Sequence, residues 1–145
     1  MKPYPHHYAV EASADPTGSV ELTGERLPAI VSAPPIEFDG PGDQWSPESL
    51  LVASVADCFV LTFRAIARAS QLEWSHLRCR AEGTLDRVDR VTRFVGMRIH
   101  AELALPQGGT VDTGRRLLEK AEKSCLVTNS LDLRVELDAT VSVDG

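Results

Sequence analysis

The stretch WSPESLLVASVADCFVLTF, residues 45–63, constrains this chain more than any other. It opens with helix-start signals. Ser46 suits an N-cap, Pro47 the first helical position, and Glu48 the positive end of the helix dipole. The helix is expected to run to about Ser70, roughly 24 residues and roughly 36 Å long. Between Ser49 and Phe63 its one formal charge is Asp57, and Arg64 and Arg68 follow. A helix apolar on nearly all sides is buried on nearly all sides, so the fold must cover it. One half-buried sheet and one shorter helix barely supply that cover. Two copies that sandwich their long helices between two sheets would supply it.

The rest of the chain reads as short strands and one further helix. Residues 6–13, 18–23 and 27–32 are expected strands, with the turn DPTG between the first two. Residues 33–45, APPIEFDGPGDQW, hold three prolines and two glycines and read as an ordered loop carrying Ile36, Phe38 and Trp45. After the long helix, residues 77–88 and 91–105 alternate apolar and polar side chains and form a hairpin. A second helix is expected over residues 111–124, then a break with one more helical turn, then a strand over 133–143. The order β-β-β-α-β-β-α-β gives a single α+β domain over residues 1–145 with antiparallel sheet. Its long central helix is buried.

Composition narrows the function. The net charge is −6, and no basic patch interleaves with aromatics, which argues against nucleic acid. The N-terminus lacks a signal-peptide pattern. The longest apolar run lies within residues 50–63, too short to span a bilayer and interrupted by Asp57. A cytoplasmic protein is the expectation. Metal binding lacks support, because there is no CxxC, HxxxH or HExxH. His6 and His7, adjacent in an expected strand, point to opposite faces.

Three cysteines do not make a secreted disulfide framework. Cys79 shares a strand face with Leu77 and Ala81 and reads as a small buried hydrophobe. Cys58 lies in the apolar helix, where a free thiol is usually packing. Cys125 begins a turn rich in Ser124, Thr128, Asn129 and Ser130. The oriented N–H groups of such a turn favour thiolate. Two thiols far apart in sequence, each in an unusual setting, fit an attacking and resolving pair.

Here the residues resemble a known family. SPESLLVASVADCF, residues 46–59, is similar to the (N/S)PE-x-L-x-A-A-x-x-x-C-F helix of the OsmC/Ohr proteins, which are thiol-dependent hydroperoxide reductases. CLVTNSL, residues 125–131, resembles their second motif, commonly CPVSNAL, with Leu126 in place of proline. FDGPG resembles their GGPG loop. The resemblance implies an intertwined homodimer with active sites at the subunit interface and no cofactor. Cys58 would be the peroxidatic cysteine, Cys125 the resolving one, and Glu48 the motif glutamate that holds an active-site arginine. The substrate would be a small hydroperoxide, and an external dithiol would reset the enzyme.

The arginine that the Ohr branch carries in an early strand is absent from PTGSVEL, residues 16–22. Arg26 is the nearest candidate, ahead of Arg64, Arg68 and Arg93. Glu48 lies ten residues before Cys58, roughly 15 Å along one helix. If it serves the thiol, it must serve the partner's. Asp57 points about 100° away from Cys58 around the helix and is expected to bond across the interface. A rival reading is a non-peroxidase dimer on the same scaffold that binds an apolar small molecule or a partner. A hot-dog-fold thioesterase, which also wraps a sheet around a long helix, is a more distant third.

Overall fold

A computed structural model describes residues 1–144. The chain divides into two compact units, Met1–Leu51 and Val52–Gly145.

In the first unit, β1 (Glu11–Ser13), β2 (Val20–Thr23) and β3 (Ile30–Ser32) form an antiparallel sheet in that order. The strands are shorter than expected, and residues 6–10 lie outside them. His6 and His7 therefore precede the sheet. His6 stacks on Tyr4, and its Nε2 meets the Lys2 carbonyl at 2.9 Å. The proline-rich segment is ordered, with one 3-10 turn over Ile36–Phe38. It closes back on β3, where the Ala33 N–H donates to the Trp45 carbonyl at 2.8 Å. Gly40 is required here, since a Cβ would run into the Pro34 carbonyl oxygen. That is the physical reason for the first glycine of FDGPG.

The long helix, α1 (Pro47–Ala69), begins as expected. The Ser46 hydroxyl accepts the Ser49 N–H at 3.1 Å, and the Ser49 hydroxyl accepts the Ser46 N–H at 2.9 Å. This is a reciprocal cap with serine in the usual glutamate place. Asp57 does not interrupt the helix. At 23 residues α1 is therefore long and apolar enough to cross a membrane by those two measures alone. The core helix of a soluble protein passes the same test, and α1 has a core face. Val55, Phe59, Phe63 and Ala67, spaced four apart, are fully buried. The remaining apolar surface is not. Only 28% of the most apolar 18 residues is buried, so the burial expected on nearly all sides is met within the chain along one stripe.

The second unit continues with β4 (His76–Val88) and β5 (Val91–Leu105), an antiparallel hairpin. It turns through Asp89 and Arg90, both at positive φ (50° and 68°), as a two-residue turn matched to strand twist requires. Then come α2 (Val111–Ser124), the single turn α3 (Leu126–Asn129) and β6 (Arg134–Val143). β6 pairs with β5 in parallel, so the expected all-antiparallel sheet is corrected. A helix between two neighbouring strands makes the crossover that parallel pairing needs. The alternation hid this, because the sheet keeps one ionic face. Arg98 bonds Glu136 at 2.6 Å, His100 meets Asp138 at 3.4 Å, and Arg80 pairs with Glu82.

The other sheet face carries the core. Met97, Ile99, Ala101, Leu103 and Leu105 of β5 pack with the α1 stripe and with Leu117, Leu118 and Ala121 of α2. Gly114 lets α2 approach the sheet, since a Cβ there would lie 2.9 Å from the Val141 Cγ1. Trp74 stands edge-on to Phe63 with ring centroids 5.5 Å apart.

Candidate active site

Cys58 lies mid-way along α1, next to fully buried Phe59 and so on the flank of the core stripe. It is half-buried. Thr62 follows one helical turn later, with its Oγ1 3.8 Å from the Cys58 Sγ. Cys125 closes α2 and caps α3, and it is fully buried. Its carbonyl accepts the Asn129 N–H at 3.0 Å and the Thr128 hydroxyl at 3.1 Å, which fixes the turn. The fold brings the two thiols close enough for each to shift the ionisation of the other.

The two thiols are pulled in opposite directions. Burial pushes Cys58 up. Hydrogen bonding from the Val127 backbone, Cys125, Thr62 and the Leu126 backbone pulls it down and outweighs burial, so Cys58 ionises more readily than an ordinary thiol. Cys125 is shifted up, first by burial. Its bonds to the Thr128 N–H and hydroxyl oppose this, and the neighbouring Cys58 adds to it. The turn's N–H groups were expected to favour a Cys125 thiolate. That of Thr128 does so, while those of Leu126 and Val127 act on Cys58, across space. Cys79, half-buried on β4 and packed against the core, is pushed up to about 11, by burial and then by the charge of Cys125.

The other expected residues are distributed differently. Glu48 and Arg26 belong to the first unit, and Cys58 and Cys125 to the second. The Glu48 Oε1 is buried and has no hydrogen-bond partner among the described residues. A buried carboxylate oxygen without a donor costs stability unless something else supplies one. Arg26 is exposed in a turn with φ 62°. Arg64 and Arg68 are exposed on α1, and so is Asp57. Arg93 is engaged elsewhere, donating to the Asp132 carbonyl at 2.9 Å and meeting its carboxylate at 3.8 Å. Among the described residues, no group of three His, Cys, Asp or Glu could hold a metal ion. Sequence reasoning missed Thr62, although its i, i+4 spacing from Cys58 was a readable signal.

Comparison with known proteins fits this geometry. Residues 40–140 match the family described as OsmC-like protein, which is most of the chain. The chain belongs to the OsmC-like family. The matched residues hold the FDGPG glycines, Glu48, Cys58 and Cys125, while Arg26 falls outside them. An uncharacterised protein of Bacillus subtilis, YmaD, is 27% identical over 95% of each chain. An OsmC-like protein of unknown function from Vibrio cholerae superposes with a TM-score of 0.85 at 13% identity, over 94% of this chain and 100% of that one. The organic hydroperoxide resistance protein OsmC of Legionella pneumophila superposes with a TM-score of 0.74 at 24% identity, over 99% and 100%. The OsmC-like fold is thus shared with structures of low identity, and the family includes proteins named for organic hydroperoxide resistance.

Proposed function

We infer that this chain is a thiol-dependent hydroperoxide reductase, and the juxtaposition of Cys58 and Cys125 carries the reading. A thiolate is the nucleophile toward an O–O bond. The Cys58 sulfur attacks the terminal peroxide oxygen, and the O–O bond breaks. The alkoxide takes a proton and leaves as alcohol, and Cys58 becomes a sulfenic acid. Cys125, deprotonated as it reacts, attacks that sulfur and expels water, which closes a Cys58–Cys125 disulfide. An external dithiol of a reducing, cytoplasmic compartment reopens it by exchange. The apolar neighbourhood of α1 favours organic hydroperoxides over hydrogen peroxide.

In this reading the active unit is a homodimer. The apolar surface of α1 left open in one chain is covered by a second copy. Glu48 reaches the partner's thiol through an arginine, with Arg26 the candidate, and its unpartnered buried oxygen supports that role. A second reading is a non-peroxidase dimer that binds an apolar small molecule or a partner. Ile36, Phe38 and Trp45 are all exposed, and Trp45 lines a cavity of about 350 Å³ with Gly42, Asp43, Gln44 and Ser49, which favours it.

One experiment separates the readings. Reduced protein is treated with cumene hydroperoxide or hydrogen peroxide, and free thiols are counted. The reductase loses two thiols per chain, faster with cumene hydroperoxide, and Cys58→Ser abolishes peroxide consumption. Unchanged consumption in Cys58→Ser sinks the proposal.

A further inference from the structure

A thiolate beside a core needs donors. In this chain the arginine expected to supply charge is missing from its early strand. Thr62 stands where a donor would be useful. A threonine within a helix ordinarily turns its hydroxyl back to the carbonyl four residues earlier. For Thr62 that carbonyl belongs to Cys58. Here the Thr62 hydroxyl lies against the Cys58 Sγ at 3.8 Å, a contact in which either atom can donate. The distance suits a bond to sulfur, which is larger than oxygen. α1 is unbroken here, and Phe59 and Phe63, each one residue on from Cys58 and Thr62, are fully buried.

We propose that Thr62 is a positioning residue that donates its hydroxyl to the Cys58 thiolate, so that a neutral donor from this chain shares the work otherwise assigned to an arginine. This rests on the reading of Cys58 as the reacting thiol. It adds a donor to that thiol from its own subunit, beside whatever charge a second copy brings. The hydroxyl fits the reaction as well as the resting state. It can donate to the anionic sulfur, and when Cys58 becomes a sulfenic acid or a disulfide the charge that it served is gone. A donor without charge also leaves the pocket compatible with an apolar peroxide, because it adds no ion that must be desolvated.

The test measures ionisation apart from peroxide chemistry. The intact protein is alkylated with iodoacetamide across a pH series, and the Cys58 peptide is followed by mass spectrometry. Thr62→Val keeps the shape and removes the hydroxyl. It should move the alkylation midpoint to higher pH and slow the reaction at neutral pH by roughly three- to tenfold, the scale of one ordinary hydrogen bond. Thr62→Ser should restore the wild-type midpoint, and Thr62→Ala should behave like valine. The proposal is overturned if Thr62→Val titrates like wild type, or if Thr62→Ser behaves like valine, which would make shape the cause. Should the wild type ionise as expected yet consume no peroxide, the reductase reading fails and the Thr62 assignment stands.

Discussion

Cys58 is caught between burial, which opposes its charge, and hydrogen bonding, which favours it and prevails. Cys125 meets the opposite balance and is shifted up. An attacking thiol should ionise readily, and a resolving one need not until the sulfenic acid forms. Cys125→Ser should therefore leave the first oxidation step intact and expose its product. With excess cumene hydroperoxide, the Cys58 peptide should carry sulfinic acid by mass spectrometry. A Cys58–Cys79 disulfide in its place would give the resolving role to the wrong thiol. Cys79 supplies a prediction on pH. Its proton is held up to about pH 11 in the fold, against an ordinary thiol value of 9.0. A raised folded-state value gives stability that is full below pH 9.0 and lost as pH rises toward 11. Cys79→Ala should flatten that alkaline loss in urea titrations, and an unchanged slope would rule Cys79 out as its source. Both site thiols were legible in the sequence from their settings. The opposite shifts of their ionisation were not, because the Leu126 and Val127 backbone acts on the distant Cys58 and burial outweighs the Thr128 bonds at Cys125.

At the scale of elements, α1 was readable from its cap, its proline and its composition, and α2 and the β4–β5 hairpin from periodicity. The direction of β6 was not. Parallel strands usually lie buried on both faces and read as apolar runs, whereas β5 and β6 share an ionic outer face and so alternate like antiparallel strands. α2 reaches the sheet only because residue 114 lacks a side chain. Gly114→Val should overpack that contact and cost about 1–3 kcal/mol in a denaturant titration. It should also loosen the far end of α2, where Cys125 sits. α1 offers a sharper test of the proposed dimer. Asp57, Leu61, Arg64 and Ala65 are all exposed and lie within about 60° of Leu61 around the helix. If two copies of α1 meet antiparallel across a twofold at Leu61, Asp57 of each faces Arg64 of the other, and Ala65 faces Cys58. Asp57→Arg should weaken the dimer by roughly tenfold, and adding Arg64→Asp should restore it, read by sedimentation equilibrium. A double variant as weak as the single would place the contact elsewhere.

For the whole molecule, the family and its fold were legible because two motifs, their order and their separation agree. What one chain's sequence could not display was how α1 is covered. Its composition demands burial on every side, and its own chain supplies one. A helix of this kind in water is costly, so folding and association should be linked. The midpoint of thermal unfolding should rise with protein concentration, as it does when the folded state is dimeric. A midpoint independent of concentration would leave α1 exposed in the stable form and remove the dimer. The junction at Cys125, where α2 ends and α3 starts, has one more consequence. A bond from there to the middle of α1 would staple the chain across a span of 67 residues, worth about 4 kcal/mol in the chain-entropy account. Each encounter with peroxide would then leave the molecule briefly harder to unfold and harder to digest. Its survival among proteases would become a record of recent exposure to oxidant, erased when the dithiol arrives.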